Sequence, residues 1–122
     1  MNLAELNLRV TDAITHAESL PKDSPESWTA FREVSLLEEQ IARLTPSDDL
    51  EGEIARLGAV AAALSANEPL RAVRLGETYL AEALADDIKS KLKLMLADVD
   101  AALTALAEDL TVQPVKFTLD AA

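Results

Sequence analysis

Apolar residues recur at steps of three and four along most of the chain, and prolines divide this pattern into segments. In the first segment the residues with this spacing are Leu3, Leu6, Val10, Ala13, Ala17 and Leu20. A period near 3.6 places such residues on one face of an α-helix. Pro21, Pro25, Pro46 and Pro69 lie between segments, where a residue without a backbone N–H ends or begins a helix. The pattern predicts an all-α protein.

Composition agrees with that prediction. Alanine and leucine, both strong helix formers, account for 43 of the 122 residues, against three glycines. A chain of this length can bury one hydrophobic core. We therefore expect a single antiparallel helical bundle over residues 1–110. It has four helices, or five if the last segment breaks near Asp86.

Two helix starts can be read from the residues around the prolines. Ser24 is expected to cap the second helix, with Pro25 in its first turn. Thr45, followed by Pro46, is expected to cap the third helix in the same way. The seam expected along the third helix consists of Leu50, Ile54, Leu57, Ala61 and Leu64. Small residues in the same segment, including Gly52 and Gly58, predict that a neighbouring helix crosses it closely.

The segment from Leu70 to Leu110 contains no proline. As one helix it would be about 60 Å long, at 1.5 Å per residue. Such a helix would extend beyond the others and expose apolar surface, which favours a dimer. Near Asp86 the apolar residues shift from one face of the predicted helix to another. A break there would give a compact five-helix monomer. We expect the continuous helix.

Residues 111–122 have a different pattern. Pro114 disfavours helix, and Val115, Phe117 and Leu119 alternate with polar residues at a period of two. This predicts a short extended C-terminal arm. The arm could pack across the bundle, pair with a second copy, add to a partner's sheet, or remain disordered.

Few side chains are suited to catalysis or metal binding, since the chain has one histidine and no cysteine. Asp12, His16 and Ser19 share a helix face, but a regular helix offers no strained turn or oxyanion hole. His16 and Met95 are the one pair that could bind haem between two helices. We expect a non-enzymatic protein without catalytic residues, metal sites or cofactors.

The net charge of −11 disfavours nucleic acid as a partner, because phosphate binding needs clustered Lys and Arg. The basic stretch formed by Arg71, Arg74, Lys89, Lys91 and Lys93 is expected to pair with the acidic second and third helices. No apolar run reaches the roughly 18 residues of a membrane span, and the N-terminus lacks the pattern of a secretion signal. We expect a cytoplasmic protein that does not bind membranes.

The helices have continuous apolar faces, and the chain offers no residues for a reactive cleft. This combination indicates a helical protein–protein interaction or scaffold protein. We expect it to form a homodimer and to bind a further, unidentified protein. The residues expected at the interaction surface are Leu8, Leu94, Val115, Phe117 and Leu119. The alternative is a small acidic inhibitor, such as an immunity protein, an antitoxin or a DNA mimic, that blocks a basic partner.

Overall fold

A computed structural model of the chain contains five α-helices and describes the backbone of residues 1–121. Side chains are described for the same range except Leu106 and residues 109–121. The helices are α1 Leu3–Ser19, α2 Pro25–Leu44, α3 Leu50–Ser65, α4 Pro69–Leu80 and α5 Asp86–Ala121. No strand occurs within the described backbone. The prediction of an all-α helical bundle is confirmed.

The start of α2 follows the sequence prediction, whereas the start of α3 does not. Ser24 Oγ accepts a hydrogen bond from Ser27 N at 3.1 Å, and Pro25 occupies the first turn. Thr45 instead ends α2, with its hydroxyl donating to Ile41 O at 2.8 Å. The chain then makes a turn, so α3 begins at Leu50 rather than after Thr45. The prediction that Thr45 caps α3 is wrong because its hydroxyl is engaged by the preceding helix.

Successive helices pack against each other in chain order, and α5 also packs against α3. In the described part of the chain, the backbones of α1 and α3 make no direct contact although both pack on α2. The same holds for α2 and α4, which both pack on α3. The larger core side chains are Leu6, Val10, Val34, Leu37, Ile41, Val60, Leu75, Tyr79, Leu84, Ile88 and Leu92. This packing leaves a groove over α2 and another over α3.

The crossing of α2 and α3 is close, as the small residues of α3 predict. Ala59 and Ala63 have no solvent exposure. Ser35 of α2 donates from its hydroxyl to the backbone carbonyl of Ala59 at 2.8 Å. A Cβ placed on Gly58 would lie 2.9 Å from the Glu38 carboxyl carbon, which leaves room only for glycine unless that side chain moves.

The last two helices are separated by a turn at residues 81–85. The prediction of one continuous helix is therefore wrong, and the five-helix alternative is confirmed. The turn buries Leu84 and brings the Glu82 carboxylate to Arg56 of α3, contacts that depend on the turn. Asp86 and Asp87 then lie in the first turn of α5, where negative charge complements the helix dipole.

The extended C-terminal arm is also corrected, because α5 continues as helix to Ala121. A lone extended segment has no partner for its backbone N–H and C=O groups, whereas a helix pairs most of them internally. The side chains of Val115, Phe117 and Leu119 lie outside the described set. The described side chains that follow Leu103 are exposed: Thr104, Ala105, Ala107 and Glu108.

Candidate interaction site

The N-terminal half of the bulky apolar face of α3 points away from the core. Leu50 is 69% exposed and Ile54 is 57% exposed, while Leu57 is only half-buried. The expectation of a core-facing seam is therefore wrong for Leu50 and Ile54, whereas Leu57 and Leu64 pack against the core. The buried face of α3 consists mainly of small residues, because α2 can approach closely only over glycine and alanine. Leu50 and Ile54 are turned outward as a result, whereas Arg56 and Val60 remain on the buried face.

The outward residues of α3 form one wall of a groove of about 520 Å³, here named the α1–α3 groove. Its opposite wall is α1 and its floor is α2. The apolar part of the lining comprises Val10, Ile14, Ile41, Leu50, Ile54 and Ala55. Asn7 of α1 bridges the groove near one end by donating from Nδ2 to Glu51 Oε1 of α3 at 2.8 Å.

The floor of this groove contains a buried carboxyl group. Glu38 is only 8% exposed and lies against Gly58. Its oxygens make no hydrogen bond or ion pair in the part of the chain whose side chains are described. Burial raises the pKa of Glu38 to about 7. Its oxygens are not fully buried, since Tyr79 carries the fully buried unpartnered atom among the described side chains, so groove solvent still reaches them. An occupant that excludes this solvent would leave the carboxylate without a partner unless it supplied a proton or a cation.

A second groove, between α2 and α4, has a volume of about 430 Å³ and is named the α2–α4 groove. Arg56 of α3 is 5% exposed and lies in its floor. Its Nε and Nη2 donate to the two carboxylate oxygens of Glu82 at 3.0 and 3.1 Å. Further bonds reach the carbonyls of Gly52 and Thr45, and the guanidinium lies 5.6 Å from the centre of the Tyr79 ring. Arg56 thus joins the ends of α2 and α3 to the turn after α4.

Glu39 and Arg43 of the α2–α4 groove are paired as well. Glu39 accepts from Nη2 of Arg71 at 2.6 Å and from Nη2 of Arg43 at 2.6 Å. The expected pairing of the basic stretch with α2 is therefore confirmed for Arg71. It is not observed for the other members, which make no ion pair within the described side chains: Arg74, Lys89, Lys91 and Lys93.

Tyr79 carries the one unpartnered polar atom found fully buried among the described side chains. Its hydroxyl lies at the α2–α4 groove, and burial, with a further contribution from Glu39, raises its pKa to about 12. The hydroxyl therefore remains neutral, and its burial costs far less than that of a charge.

Two of the residues predicted at an interaction surface are exposed. Leu8 is 71% exposed on α1 and Leu94 is 69% exposed on α5, but these two helices do not contact each other. The remaining three residues, Val115, Phe117 and Leu119, lie outside the described side chains. Binding through any of the five stays a prediction.

The sequence reading missed the groove residues Leu50, Ile54 and Glu38. One feature of the sequence could have indicated these groove residues: the segment that forms α3 is apolar on two faces. A helix that is apolar all round is ordinarily covered on all sides.

The polar residues considered for chemistry are not brought together. His16 is exposed at the end of α1, and its carbonyl accepts from the hydroxyl of Ser19 at 2.6 Å. Asp12 makes no hydrogen bond or ion pair to His16 in the described structure. Met95 packs against the core from α5, a helix that does not contact α1, so the two candidate haem ligands are separated. Among described residues, no cluster of three His, Cys, Asp or Glu side chains could hold a metal ion.

Comparison of the chain with protein-family models, with curated proteins and with solved structures finds no match. Among the described helices, none has both the length and the apolar character needed to cross a membrane.

Proposed function

We propose that this chain is a non-enzymatic, cytoplasmic interaction or scaffold protein that binds partners through the outer face of α3. The observation that carries the proposal is the exposure of Leu50 and Ile54 on a helix whose other face is fully packed. Covering one such side chain contributes about 1.5–3 kcal/mol. Neighbouring apolar residues that border a groove are typical of protein-binding surfaces.

A crosslinking experiment tests this proposal. A photoreactive phenylalanine derivative is placed at position 54, and the same derivative at exposed position 77 on α4 serves as the control. Illumination in cells that make the protein should give a discrete protein adduct from position 54 only. The proposal is contradicted if neither position gives an adduct, or if both give the same set.

Self-association is the second part of the proposal and involves α5. The spacing of four and three runs through Leu92, Leu96, Val99, Leu103, Leu106 and Leu110. The bundle buries Leu92 and Val99, but the described side chains after Leu103 are exposed. A second α5 could continue the covered seam as a coiled-coil-like pair.

Sedimentation equilibrium at high protein concentration tests the homodimer. We expect a mass of two chains, and Leu103→Asp should return it to one chain because it places a charge in the seam. Leu44→Asp, at the exposed end of α2, a helix that α5 does not contact within the described chain, is the matched control and should leave the mass unchanged. A mass of one chain for the wild type at all concentrations would contradict the proposed homodimer.

The net charge of −11 favours a second candidate function, a small acidic inhibitor that blocks a basic partner. This function and the scaffold function differ in their response to salt. Inhibition through charge should weaken steeply as ionic strength rises, whereas binding through the apolar face should change little. Measuring capture of the crosslinked partner over a salt series separates the two.

A further inference from the structure

The packing of α1, α2 and α3 leaves the place of a fourth helix unfilled. In antiparallel bundles each helix contacts two neighbours, and helix axes lie about 8–10 Å apart. Here α1 and α3 contact α2 but not each other at the backbone level, within the described chain. A helix lying along the α1–α3 groove would contact both walls and complete a four-helix group.

The lining of the groove is suited to an amphipathic helix. Leu50 and Ile54 are one helical turn apart on α3, and the half-buried Ile14 lies on the opposite wall. A helix whose apolar residues recur at steps of three and four would contact these residues from the open side of the groove. The groove is bounded by helices, so it offers no sheet edge to which an extended peptide could add.

The floor of the groove specifies one polar feature of the occupant. Glu38 is more than nine-tenths buried, faces the groove lining and has no hydrogen-bond partner among described residues. A single carboxyl is too few oxygens for a metal ion, which requires several ligands. No Lys, Arg or His lines the groove, and Glu51 adds a second acidic group. A lysine or arginine side chain would supply the missing donor and the opposite charge.

We propose that the α1–α3 groove binds an amphipathic helix of a partner protein, and that a Lys or Arg in its apolar face pairs with Glu38. This inference rests on the proposed function, since it names the class of partner that the interaction protein binds. The cation is desolvated together with the carboxyl, so the pair gives specificity for a basic residue at one helical position. Partners with an acidic or purely apolar residue at that position are rejected.

The acid–base properties of the groove agree with this proposal. Burial raises the pKa of Glu38 to about 7, and a cation placed beside it lowers the pKa again. Binding below about pH 7 therefore releases a proton from Glu38. The other groups that face Glu38 across the groove are Asn7 and Thr11 of α1, which do not titrate, and Glu51 of α3. Affinity for a basic helix should rise between about pH 5.5 and pH 8.

The test uses a displayed library of amphipathic helices about as long as α1, which has 17 residues. The apolar stripe is restricted to Leu, Ile and Met, and one central position within it is fully randomised. Selection against the full chain at about pH 8 should enrich Lys or Arg at the central position. Synthetic peptides of the selected sequences serve as the probes in all binding measurements.

Two variants and one control then locate the binding site. Glu38→Gln keeps the shape of the side chain and should weaken binding about 10- to 100-fold, because it removes a charge-assisted hydrogen bond. Ile54→Lys should abolish binding, whereas Glu77→Gln on exposed α4 should have no effect. Circular dichroism verifies that each variant is folded. The rise of affinity with pH should be absent from Glu38→Gln.

The outcomes separate this inference from the proposed function. Selected helices without a basic central residue, or with equal affinity for Glu38→Gln, would overturn the Glu38 pairing. Failure to select any helix would overturn the helix as occupant. In each case, the crosslinking experiment at position 54 still tests independently whether the outer face of α3 binds a partner protein. A mass of two chains that Ile54→Lys returns to one would place a second copy in the groove and would also overturn the proposal.

Discussion

The α2–α4 groove and the α1–α3 groove each contain a charged side chain that is almost fully buried. In the first, Arg56 donates to Glu82 and to two backbone carbonyls. In the second, Glu38 lies under apolar residues and has no partner among the described side chains. Pairing within the chain makes the first group part of the structure. In the proposal made above, the second group is left for a cation of the partner, and the unpaired carboxyl marks the groove that would bind it.

The largest expected effect concerns the paired groove. Arg56→Ala should lower the free energy of unfolding by about 3 kcal/mol, because it removes a buried cation that pairs with the 33% exposed Glu82 side chain and donates two further hydrogen bonds. Chemical denaturation measures the change. The matched control is Arg9→Ala, which removes the exposed 3.7 Å pair with Glu33 and should cost about 0.5 kcal/mol or less. Equal losses in the two variants would end the distinction between a structural pair and a surface pair.

The next effect concerns the two faces of α3. Val60 has no solvent exposure, and Val60→Ala should cost about 2 kcal/mol through lost burial and the cavity it leaves. Ile54→Ala on the outer face should change stability by less than about 0.5 kcal/mol. Thermal or denaturant unfolding of the chain alone measures both. A comparable loss from Ile54→Ala would mean that the outer face is already covered in the free protein.

Glu38 should give the stability of the protein a characteristic pH dependence. The folded chain holds a proton on Glu38 up to about pH 7, whereas the unfolded chain releases it near the ordinary value of 4.5. The contribution of Glu38 to stability is therefore fully present below pH 4.5 and is lost as the pH rises through about 7. The slope from this single group reaches at most about 1.4 kcal/mol per pH unit. Denaturation of the wild type from pH 4 to pH 8 measures it.

Glu38→Gln isolates this contribution, because the amide does not titrate. The variant should lack the loss between pH 4.5 and about 7, and above that range it should be more stable than the wild type. Glu68 acts in the opposite direction at lower pH, since the hydrogen bond from Arg32 lowers its pKa. Identical pH profiles for the wild type and Glu38→Gln would show that the Glu38 carboxyl is solvated or paired.

The smallest effect is expected at Tyr79, the one buried hydroxyl of the paired groove that lacks a partner. Tyr79→Phe should change stability by less than about 0.5 kcal/mol, because no hydrogen bond is lost and the ring remains beside Arg56. Denaturation measures this change. A loss above about 1 kcal/mol would mean that the hydroxyl has a partner and that the groove is more fully paired than described.

Local sequence signals were sufficient for much of the fold. The spacing of three and four located α1 and the body of α2, and Ser24 with Pro25 gave the start of α2. Small residues in α3 predicted its close crossing with α2. These features depend on residues a few positions apart, which is why a pattern along the chain can show them.

Features that depend on distant residues were missed. The turn after α4 is stabilised by Glu82 pairing with Arg56, which is 26 residues earlier, and no local pattern shows that contact. Likewise, the spacing of apolar residues along α3 predicts two apolar faces. It does not show which of the two faces packs against α2. The packing with α2 decides this, since only the small face fits closely. The groove and its unpaired Glu38 are consequences of that choice.

The most direct test of this account is the titration of the Glu38 side-chain carboxyl carbon in the free protein, followed by nuclear magnetic resonance. The assignment comes from comparison with Glu38→Gln. The midpoint should be about 7, because the carboxyl is buried at the base of an open groove without a partner among the described side chains. A midpoint at the ordinary value of 4.5 would show that the chain or the solvent already satisfies this carboxyl, and the unpaired charge that marks the groove as a binding site would not exist.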